Sequence, residues 1–239
     1  MTTVAITQAR MTSERLPGKI LKPLAGQPLL ARHLARLSRA GRIDRVVVGS
    51  PEGPVSDPIR ALCAPLGFPV VDGPEDDVLA RFLNAARFAG ADIIVRVTSD
   101  CPFIDPELVD LVVARRAETG VDYATLDAPG VYPRGLDVEV FTRAALETAA
   151  AEAASTHDRE HVTPFIRNQP DRFTTQRVAA DGAGGAYRLC VDTPADLALA
   201  ERLYDHFGGD DFGWREVVSV LDARPDWAAL NSDVIQKAV

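Results

Sequence analysis

Short apolar runs alternate with longer amphipathic segments along the first half of the chain. The runs are rich in Val, Ile and Ala, which is typical of parallel strands buried on both faces. We predict such strands at residues 4–7, 45–48, 69–71, 92–97 and 122–125. Apolar positions at helical spacing lie between the strands and predict helices at residues 28–39, 56–66, 76–88 and 106–118. This alternation predicts an α/β fold with a parallel sheet and right-handed crossovers.

Capping signals support the predicted helix boundaries. Asp105 precedes Pro106, so a side chain able to cap a helix is followed by proline at the first helical position. Thr193 repeats this arrangement, and Asp196 occupies the position of the reciprocal acid in a capping box. We therefore predict a further helix at residues 195–207.

The pattern changes after residue 125. Pro and Gly residues predict a loop at 127–135, and the following segments alternate or are rich in alanine. We predict strands at residues 136–141, 173–178 and 187–191, and helices at residues 142–154 and 156–168. The last two strands could form a hairpin around a glycine-rich turn at residues 181–186. Because no repeat, linker or boundary interrupts the chain, we predict one domain over residues 1–239.

Net charge, the length of the apolar runs and the cysteine spacing limit the kinds of partner and cellular location that we expect. The chain has 239 residues with a net charge of −8, which argues against a nucleic-acid partner, because a phosphate backbone requires a basic face. No apolar run approaches the ~20 residues of a membrane helix, and no signal-peptide pattern begins the chain. The three cysteines, Cys63, Cys101 and Cys190, lack metal-ligand spacing. We expect reduced thiols in a cytoplasmic protein.

The segment after the first strand is rich in cations and hydroxyls. Within residues 8–19, Arg10, Arg15 and Lys19 accompany Ser13 and a Pro-Gly break. A loop of this kind can wrap a polyphosphate, with backbone N–H groups and hydroxyls contacting its oxygens, and an exposed basic loop is the alternative. A Walker A motif would require glycine at the position of Ser13, and no Gly-x-Gly-x-x-Gly pattern occurs.

Two aspartates follow predicted strands. Asp100 ends the fourth strand, which we expect to lie beside the first, and Asp192 ends the strand at 187–191. A carboxylate that leaves a buried strand at this edge can hold a hard divalent cation. Both residues also precede prolines and helix starts, so a capping or turn role is the alternative for each.

Two further groups of polar residues could contact a sugar. Asp137 and Glu139 would share one face of the strand at 136–141, where they could bind hydroxyls or form a solvated strand edge. Glu160 and His161 lie in a charged segment that could bind an acidic sugar or form a solvated turn. A metal site in that segment lacks a third ligand.

Six motifs taken together resemble a known family. They are QARMTSERLPGK at 8–19, DGPEDDVLAR at 72–81, RVTSDCP at 96–102, GLDVEVF at 135–141, REHVTP at 159–164 and VDTPADL at 191–197. They are similar, in this order, to the cytidylyltransferases that make CMP-activated acidic sugars, the CMP-octulosonate and CMP-acylneuraminate synthetases. The similarity is greatest to their relatives in spore-coat and surface-polysaccharide gene clusters.

The resemblance implies a fold and a set of site residues. The fold is that of nucleotide-diphospho-sugar transferases (GT-A-like), a three-layer α/β/α sandwich around a mostly parallel sheet. The implied catalytic residues are Lys19, Arg10 and Asp100. The implied nucleotide-binding residues are Ala9, Arg10, Ser13, Arg15, Lys19, Gly73, Asp77, Arg81 and Thr98. The implied sugar-binding residues are Arg134, Asp137, Glu139, Glu160 and His161, and the implied Mg²⁺ ligands are Asp100 and Asp192.

The resemblance also implies an activity and partners. A sugar hydroxyl would attack the α-phosphorus of CTP and release pyrophosphate. The partners would be CTP, an acidic sugar and a second copy of the chain, contacted through a small substrate and dimerisation subregion at about 130–190. Two positions depart from the family pattern. Octulosonate enzymes have glutamine at the position of Thr98, and Arg134 stands where an acidic or amide residue is common.

Two other functions remain open at this stage. A glycosyltransferase on the same sheet would use an Asp-x-Asp motif, but Asp76 and Asp77 lack the spacer. A non-catalytic sugar-nucleotide-binding module would not need Asp100, Asp192 and Lys19 together. Release of pyrophosphate from a nucleoside triphosphate separates these possibilities.

Overall fold

In the described part of the chain, seven strands form one sheet and two shorter strands form a separate hairpin. A computed structural model describes residues 1–126, 131–178 and 184–236. The strands are β1 (Thr3–Gln8), β2 (Pro23–Leu24), β3 (Gln27–Pro28), β4 (Arg45–Pro51), β5 (Val70–Gly73), β6 (Ile93–Thr98), β7 (Tyr123–Thr125), β8 (Glu139–Thr142) and β9 (Thr175–Arg177). The main sheet has the order β5-β4-β1-β6-β8-β7-β9, and β2 pairs with β3. The predicted neighbours β1 and β6 are parallel partners.

Helices cover both faces of this sheet. They are α1 (Leu29–Leu37), α2 (Asp57–Cys63), α3 (Val78–Ala89), α4 (Pro106–Thr119), α5 (Arg143–Glu152), α6 (Thr156–His161), α7 (Pro164–Arg167), α8 (Pro194–Phe207), α9 (Trp214–Ala223) and α10 (Pro225–Ala228). The predicted caps are confirmed: Asp105 accepts from two backbone N–H groups of α4, and Thr193 and Asp196 form a capping box. None of the helices in the described part of the chain combines the length and apolarity needed to cross a bilayer.

Two apolar cores lie on opposite faces of the sheet. Val4 and Ile6 of β1 pack into a core with α3, α5 and α7. Ala5 points to the other face and joins a core with α1, α2, α4, α8 and α9. This alternation follows from the two-residue period of strand side chains. The predicted three-layer α/β/α sandwich with a mostly parallel sheet is confirmed.

The second half of the sheet differs from the simple alternation of strand and helix. β8 lies between β6 and β7 and is antiparallel to both. The predicted strand at 136–141 begins only at Glu139, and the one at 187–191 is absent, with Arg188 making an isolated parallel bridge to Arg134. Because β9 pairs in parallel with β7, the predicted hairpin is wrong.

The structure also bears on the predicted helix at 156–168 and on two predicted loops. The predicted helix at 156–168 divides into α6 and α7 at Val162 and Thr163, just before Pro164. Proline lacks the N–H that would continue the first helix. The predicted loop at 127–135 and the glycine-rich turn at 181–186 fall partly outside the described residues.

Candidate active site

A cleft opens at the carboxyl edge of the sheet, where β1 and β6 end. Their last residues, Gln8 and Thr98, are register partners, so the loops that follow them leave the sheet side by side. The cleft has a volume of about 370 Å³. Its lining residues are Gln8, Ala9, Arg10, Ser13, Glu14, Arg15, Lys19, Ile20, Val78, Arg81, Thr98, Ser99, Asp100, Glu160, His161 and Asp192.

Lys19 joins the two aspartates predicted to hold a metal. Its ammonium lies 2.8 Å from Asp100 Oδ2 and 2.7 Å from Asp192 Oδ1, and the residue is only 8% exposed. Gly18, with φ 65°, precedes it, and the Gly18 N–H donates to the Met11 carbonyl at 3.1 Å, which closes the loop and directs Lys19 inward. Burial acts to lower the pKa of Lys19, but the two carboxylates outweigh it and raise the pKa.

Asp192 is held from several sides. Its Oδ2 contacts Arg15 at 2.9 Å and accepts a hydrogen bond from Arg188 at 2.6 Å. The backbone fixes its distance from the β6 edge, because the Val191 N–H donates to the Asp100 carbonyl at 2.8 Å. Arg188 also donates to Asp196 at 2.9 Å. Arg188 was not predicted as a site residue, because it stands alone in an apolar segment and forms no recognisable pattern.

The two carboxylates are a suitable donor set for Mg²⁺. Their oxygens converge on one point, which Lys19 contacts in this structure. Proteins bind Mg²⁺ through one or two carboxylates together with water and substrate phosphates. Among the described residues no group of three His, Cys, Asp or Glu side chains could hold a metal alone. Asp100 and Asp192 therefore fit Mg²⁺ only as partners of a phosphate ligand.

Arg81 of α3 also lines the cleft. It is 2% exposed, and it donates to the Pro74 carbonyl at 2.8 Å. Burial, with a contribution from nearby Arg10, lowers the pKa of Arg81 to about 10, so the guanidinium stays charged at neutral pH. Gly73 makes room for it, because a Cβ at Gly73 would lie 3.0 Å from the Arg81 Cα and Cβ.

Comparison with known proteins identifies the family. A model for cytidylyltransferases matches residues 4–214. The chain belongs to the cytidylyltransferase family. It is 35% identical over 232 residues to the spore coat polysaccharide biosynthesis protein SpsF of Bacillus subtilis strain 168, covering 93% of this chain and 95% of that protein. It is 33% identical over 235 residues to the 3-deoxy-manno-octulosonate cytidylyltransferase of Anaeromyxobacter sp. strain Fw109-5. This match covers 83% of this chain and 95% of that protein.

A solved structure supports the same assignment. The fold matches that of a cytidylyltransferase from Leptospira borgpetersenii serovar Hardjo-bovis strain JB197 with a TM-score of 0.91. The two chains are 28% identical, and the match covers 100% of each. The predicted family and the predicted class of enzyme, a nucleotidyltransferase, are therefore confirmed.

Most of the residues implied for this cytidylyltransferase lie together in the cleft. Those that line it are Ala9, Arg10, Ser13, Arg15, Lys19, Arg81, Thr98, Asp100, Glu160, His161 and Asp192. Those outside the lining are Gly73, Asp77, Arg134, Asp137 and Glu139. Additional lining residues that the sequence analysis did not assign include Gln8, Glu14, Val78 and Ser99. Val78 and Gln8 could have been found from their positions at the start of α3 and the end of β1.

Asp77 has a structural role at the edge of the cleft. Its carboxylate caps α3 by accepting from the Ala80 N–H at 2.9 Å. The other oxygen pairs with Arg159 of α6 at 3.0 Å. Asp77 thus joins α3 to α6, the helix that brings Glu160 and His161 to the cleft. Burial lowers the pKa of His161.

Asp137 and Glu139 do not form the predicted pair on one strand face. Asp137 precedes β8, is exposed and accepts from the Gly135 N–H at 3.0 Å. Glu139 is buried and contacts Arg96 and the Tyr123 hydroxyl. Burial acts to raise the pKa of Glu139, but Arg96 together with the hydrogen bonds from Thr163 and Tyr123 outweighs it and lowers the pKa. The strand prediction included irregular residues before Glu139, which is why the period of two did not apply.

Proposed function

We propose that this cytidylyltransferase transfers CMP from CTP to a hydroxyl of an acidic sugar of the nonulosonate or octulosonate type. Pyrophosphate is the second product, and the CMP-sugar would serve the synthesis of a surface polysaccharide or glycan. The observation that carries the proposal is the convergence of Lys19, Asp100 and Asp192 at the carboxyl ends of β1 and β6. The names of the two relatives, one a spore-coat protein and one an octulosonate enzyme, support the class of acceptor.

The cations of the loop after β1 would bind the triphosphate. Arg10, Arg15 and Lys19 all line the cleft, and Ser13 of the same loop lines it as well. When the α-phosphorus is attacked, negative charge grows on the leaving pyrophosphate. Prearranged donors stabilise such charge, and removing one such donor typically costs about 3–4 kcal/mol of transition-state stabilisation. These residues would bind, orient and stabilise the leaving group.

Mg²⁺ would be held by Asp100 and Asp192. Bound there, it would neutralise charge on the phosphate oxygens and let the electron-rich hydroxyl oxygen approach the α-phosphorus. Lys19 contacts both carboxylates, so it would stay close to the phosphates while they bind. Arg15 and Arg188 would hold Asp192 in place through its second oxygen.

The acceptor would enter from the side of α6. Glu160 and His161 of α6 line the cleft. Arg134 and Asp137, both exposed, lie in the segment before β8, which also begins at the carboxyl edge of the sheet. We assign these four residues to acceptor binding. A single domain over residues 1–239, a substrate and dimerisation subregion at 130–190, a homodimer and a cytoplasmic location stay predictions, and sedimentation analysis tests the dimer.

Pyrophosphate release tests the proposal. The protein is incubated with Mg²⁺, one of CTP, UTP, ATP or GTP, and either 3-deoxy-manno-octulosonate or N-acetylneuraminate. We expect release with CTP and at least one acidic acceptor. Asp100→Asn should reduce the rate about 10²-fold or more while the circular dichroism spectrum is unchanged. The exposed Asp171→Asn is the matched control.

Other outcomes identify the alternatives. Consumption of a sugar nucleotide without pyrophosphate release would identify a glycosyltransferase. Nucleotide binding without turnover on any acidic sugar would identify a binding module. Full activity in Asp100→Asn would show that the metal assignment is wrong.

A further inference from the structure

A cytidylyltransferase must distinguish cytosine from uracil. The two bases differ at position 4, where cytosine carries an amino donor and uracil a carbonyl acceptor, and at N3, which accepts in cytosine and donates in uracil. The proposed function assigns Arg10, Arg15 and Lys19 to the phosphates, which all nucleoside triphosphates share. Discrimination therefore requires a group elsewhere in the cleft whose donor and acceptor are held in fixed positions, and a side-chain carboxamide can supply both.

Gln8 is a carboxamide in the required place. It is the last residue of β1 and lines the cleft together with Val78 and Arg81. The two-residue period places its side chain on the same face of the sheet as Ile6, which packs against α3. This face lies away from the Lys19 cluster and next to the apolar side chain of Val78, a suitable contact for a base.

The carboxamide of Gln8 has an unused acceptor. Its Oε1 atom is buried and has no hydrogen-bond partner among the described residues. Buried polar atoms in folded proteins are normally hydrogen-bonded. An unpaired buried acceptor on a residue that lines a cleft is therefore a candidate for a hydrogen bond with a ligand. The neighbouring Thr98 is less available, because its hydroxyl lies 3.2 Å from Cys101 Sγ. Gln8 is therefore the uncharged side chain best suited to receive a donor from a ligand.

We propose that Gln8 recognises the Watson–Crick edge of cytosine in CTP. Oε1 accepts a hydrogen bond from the 4-amino group, and Nε2 donates one to N3. With the carboxamide in this orientation, UTP would present its 4-carbonyl oxygen to the same acceptor and its N3 hydrogen to Nε2, so the preference for CTP requires that Gln8 keep this orientation. The proposal rests on CTP being the nucleotide substrate, as proposed above.

Binding constants for CTP and UTP test the role of Gln8 without an acceptor sugar. Calorimetry with Mg²⁺ is performed on the wild-type protein, Gln8→Leu and Arg10→Ala. We expect the wild type to bind CTP at least about tenfold more tightly than UTP, the scale of one good bidentate contact. Gln8→Leu should lose most of that preference, whereas Arg10→Ala should weaken both nucleotides by the same factor. The double variant Gln8→Leu with Thr98→Gln moves the carboxamide to the register partner and should restore part of the preference.

The outcomes separate this inference from the proposed function. If the wild type does not prefer CTP, the proposed nucleotide substrate is wrong. If the wild type prefers CTP and Gln8→Leu keeps the full preference, the role of Gln8 is overturned and the proposed function stands. Should Gln8→Leu fail to fold, the wild type is tested with a pyrimidin-2-one nucleoside triphosphate, which lacks the 4-amino group. Binding about tenfold weaker than CTP supports the inference, and equal binding refutes it.

Discussion

The buried carboxylate of Glu139 accepts a hydrogen bond from the Thr163 hydroxyl at 2.6 Å. Thr163 follows Val162, whose φ of 72° and ψ of −53° lie in a region that a β-branched residue rarely occupies. The Thr163 N–H also donates to the His161 carbonyl at 2.8 Å, so these three residues form the less common γ-turn. Glu139 thus connects the sheet to the turn that directly follows His161 in the cleft.

Replacing Thr163 by valine should raise the KM for the acceptor sugar more than the KM for CTP. Valine keeps the shape of the side chain but leaves buried Glu139 with one donor fewer, at a cost of about 1–3 kcal/mol in unfolding free energy. We expect the KM for the acceptor sugar to rise about fivefold or more, because His161 and Glu160 lose their fixed position, while the KM for CTP changes less than twofold. Initial rates with each substrate varied in turn measure this.

Thr163→Ser is the matched control for this prediction. It retains the hydroxyl and should keep both KM values near those of the wild type. Equal increases in the two KM values for Thr163→Val, or an equally impaired serine variant, would contradict the positioning role.

Alanine variants are usually more stable than glycine variants, but the positive φ of Val162 should reverse this order of stability at position 162. Val162 is 0% exposed, so both Val162→Ala and Val162→Gly lose packing. Glycine adopts a positive φ without the penalty of roughly 1–3 kcal/mol that other residues bear in such strained conformations. We expect Val162→Gly to unfold at the same or a higher urea concentration than Val162→Ala. At Val112, in the middle of α4, the glycine variant should instead be less stable by about 1 kcal/mol.

Much of the cleft could be predicted from sequence because strand ends are predictable. β1 and β6 are apolar runs with clear ends, and parallel strands place their carboxyl ends at one edge. This rule alone places Lys19 and Asp100 in the same region. Asp192 was predicted as a ligand from the end of a strand at 187–191, which does not exist in the structure, and from the resemblance of the motif at 191–197 to the family.

The part of the site that we propose to bind the sugar was less predictable, because irregular backbone segments position its residues. The sequence predicted Glu139 on a strand face, open to a sugar or to solvent. In the structure β8 lies antiparallel between β6 and β7, and its first residue, Glu139, is buried. No local pattern encodes this insertion, since it depends on where the chain returns after β7. The pairing of Arg159 with Asp77 was not predicted for the same reason, because the two residues are far apart in the sequence and belong to different helices.

Lys19 and a divalent cation should compete for the same carboxylate oxygens. The ammonium contacts both Asp100 and Asp192 in this structure, so a metal must share or replace those contacts. Lys19→Met removes the competing charge and leaves two neighbouring acids without a shared cation. We expect this variant to bind Mn²⁺ about tenfold more tightly than the wild type in the absence of nucleotide. Electron paramagnetic resonance of free Mn²⁺ measures the affinity.

Lys22→Met serves as the control, because Lys22 lies outside the lining of the cleft. It should leave the Mn²⁺ affinity unchanged. Equal or weaker Mn²⁺ binding by Lys19→Met would show that Lys19 does not compete with a metal at these carboxylates.

His33 of α1 should make the protein sensitive to mild acid. The ring is fully buried, with Nδ1 2.9 Å from the Cys101 carbonyl and Nε2 without a partner in the described structure. Burial lowers the pKa of His33 from 6.5 to about 4. Among the charged groups that act on it, Arg36 lowers the pKa further and Asp100 raises it. Above pH 6.5 the ring is neutral in both the folded and unfolded states, so it adds no pH dependence there.

Below that pH the unfolded chain binds a proton that the folded protein does not, so the unfolding free energy must fall as pH decreases from about 6.5 to about 4. The contribution is about 1.4 kcal/mol per pH unit, or about 3 kcal/mol over the interval. His33→Asn keeps a donor for the Cys101 carbonyl and cannot titrate. Urea unfolding at several pH values should therefore show a shallower decline for this variant, even if it is less stable at pH 7. The exposed His206→Asn should follow the wild-type curve, and parallel curves for His33→Asn and the wild type would refute the prediction.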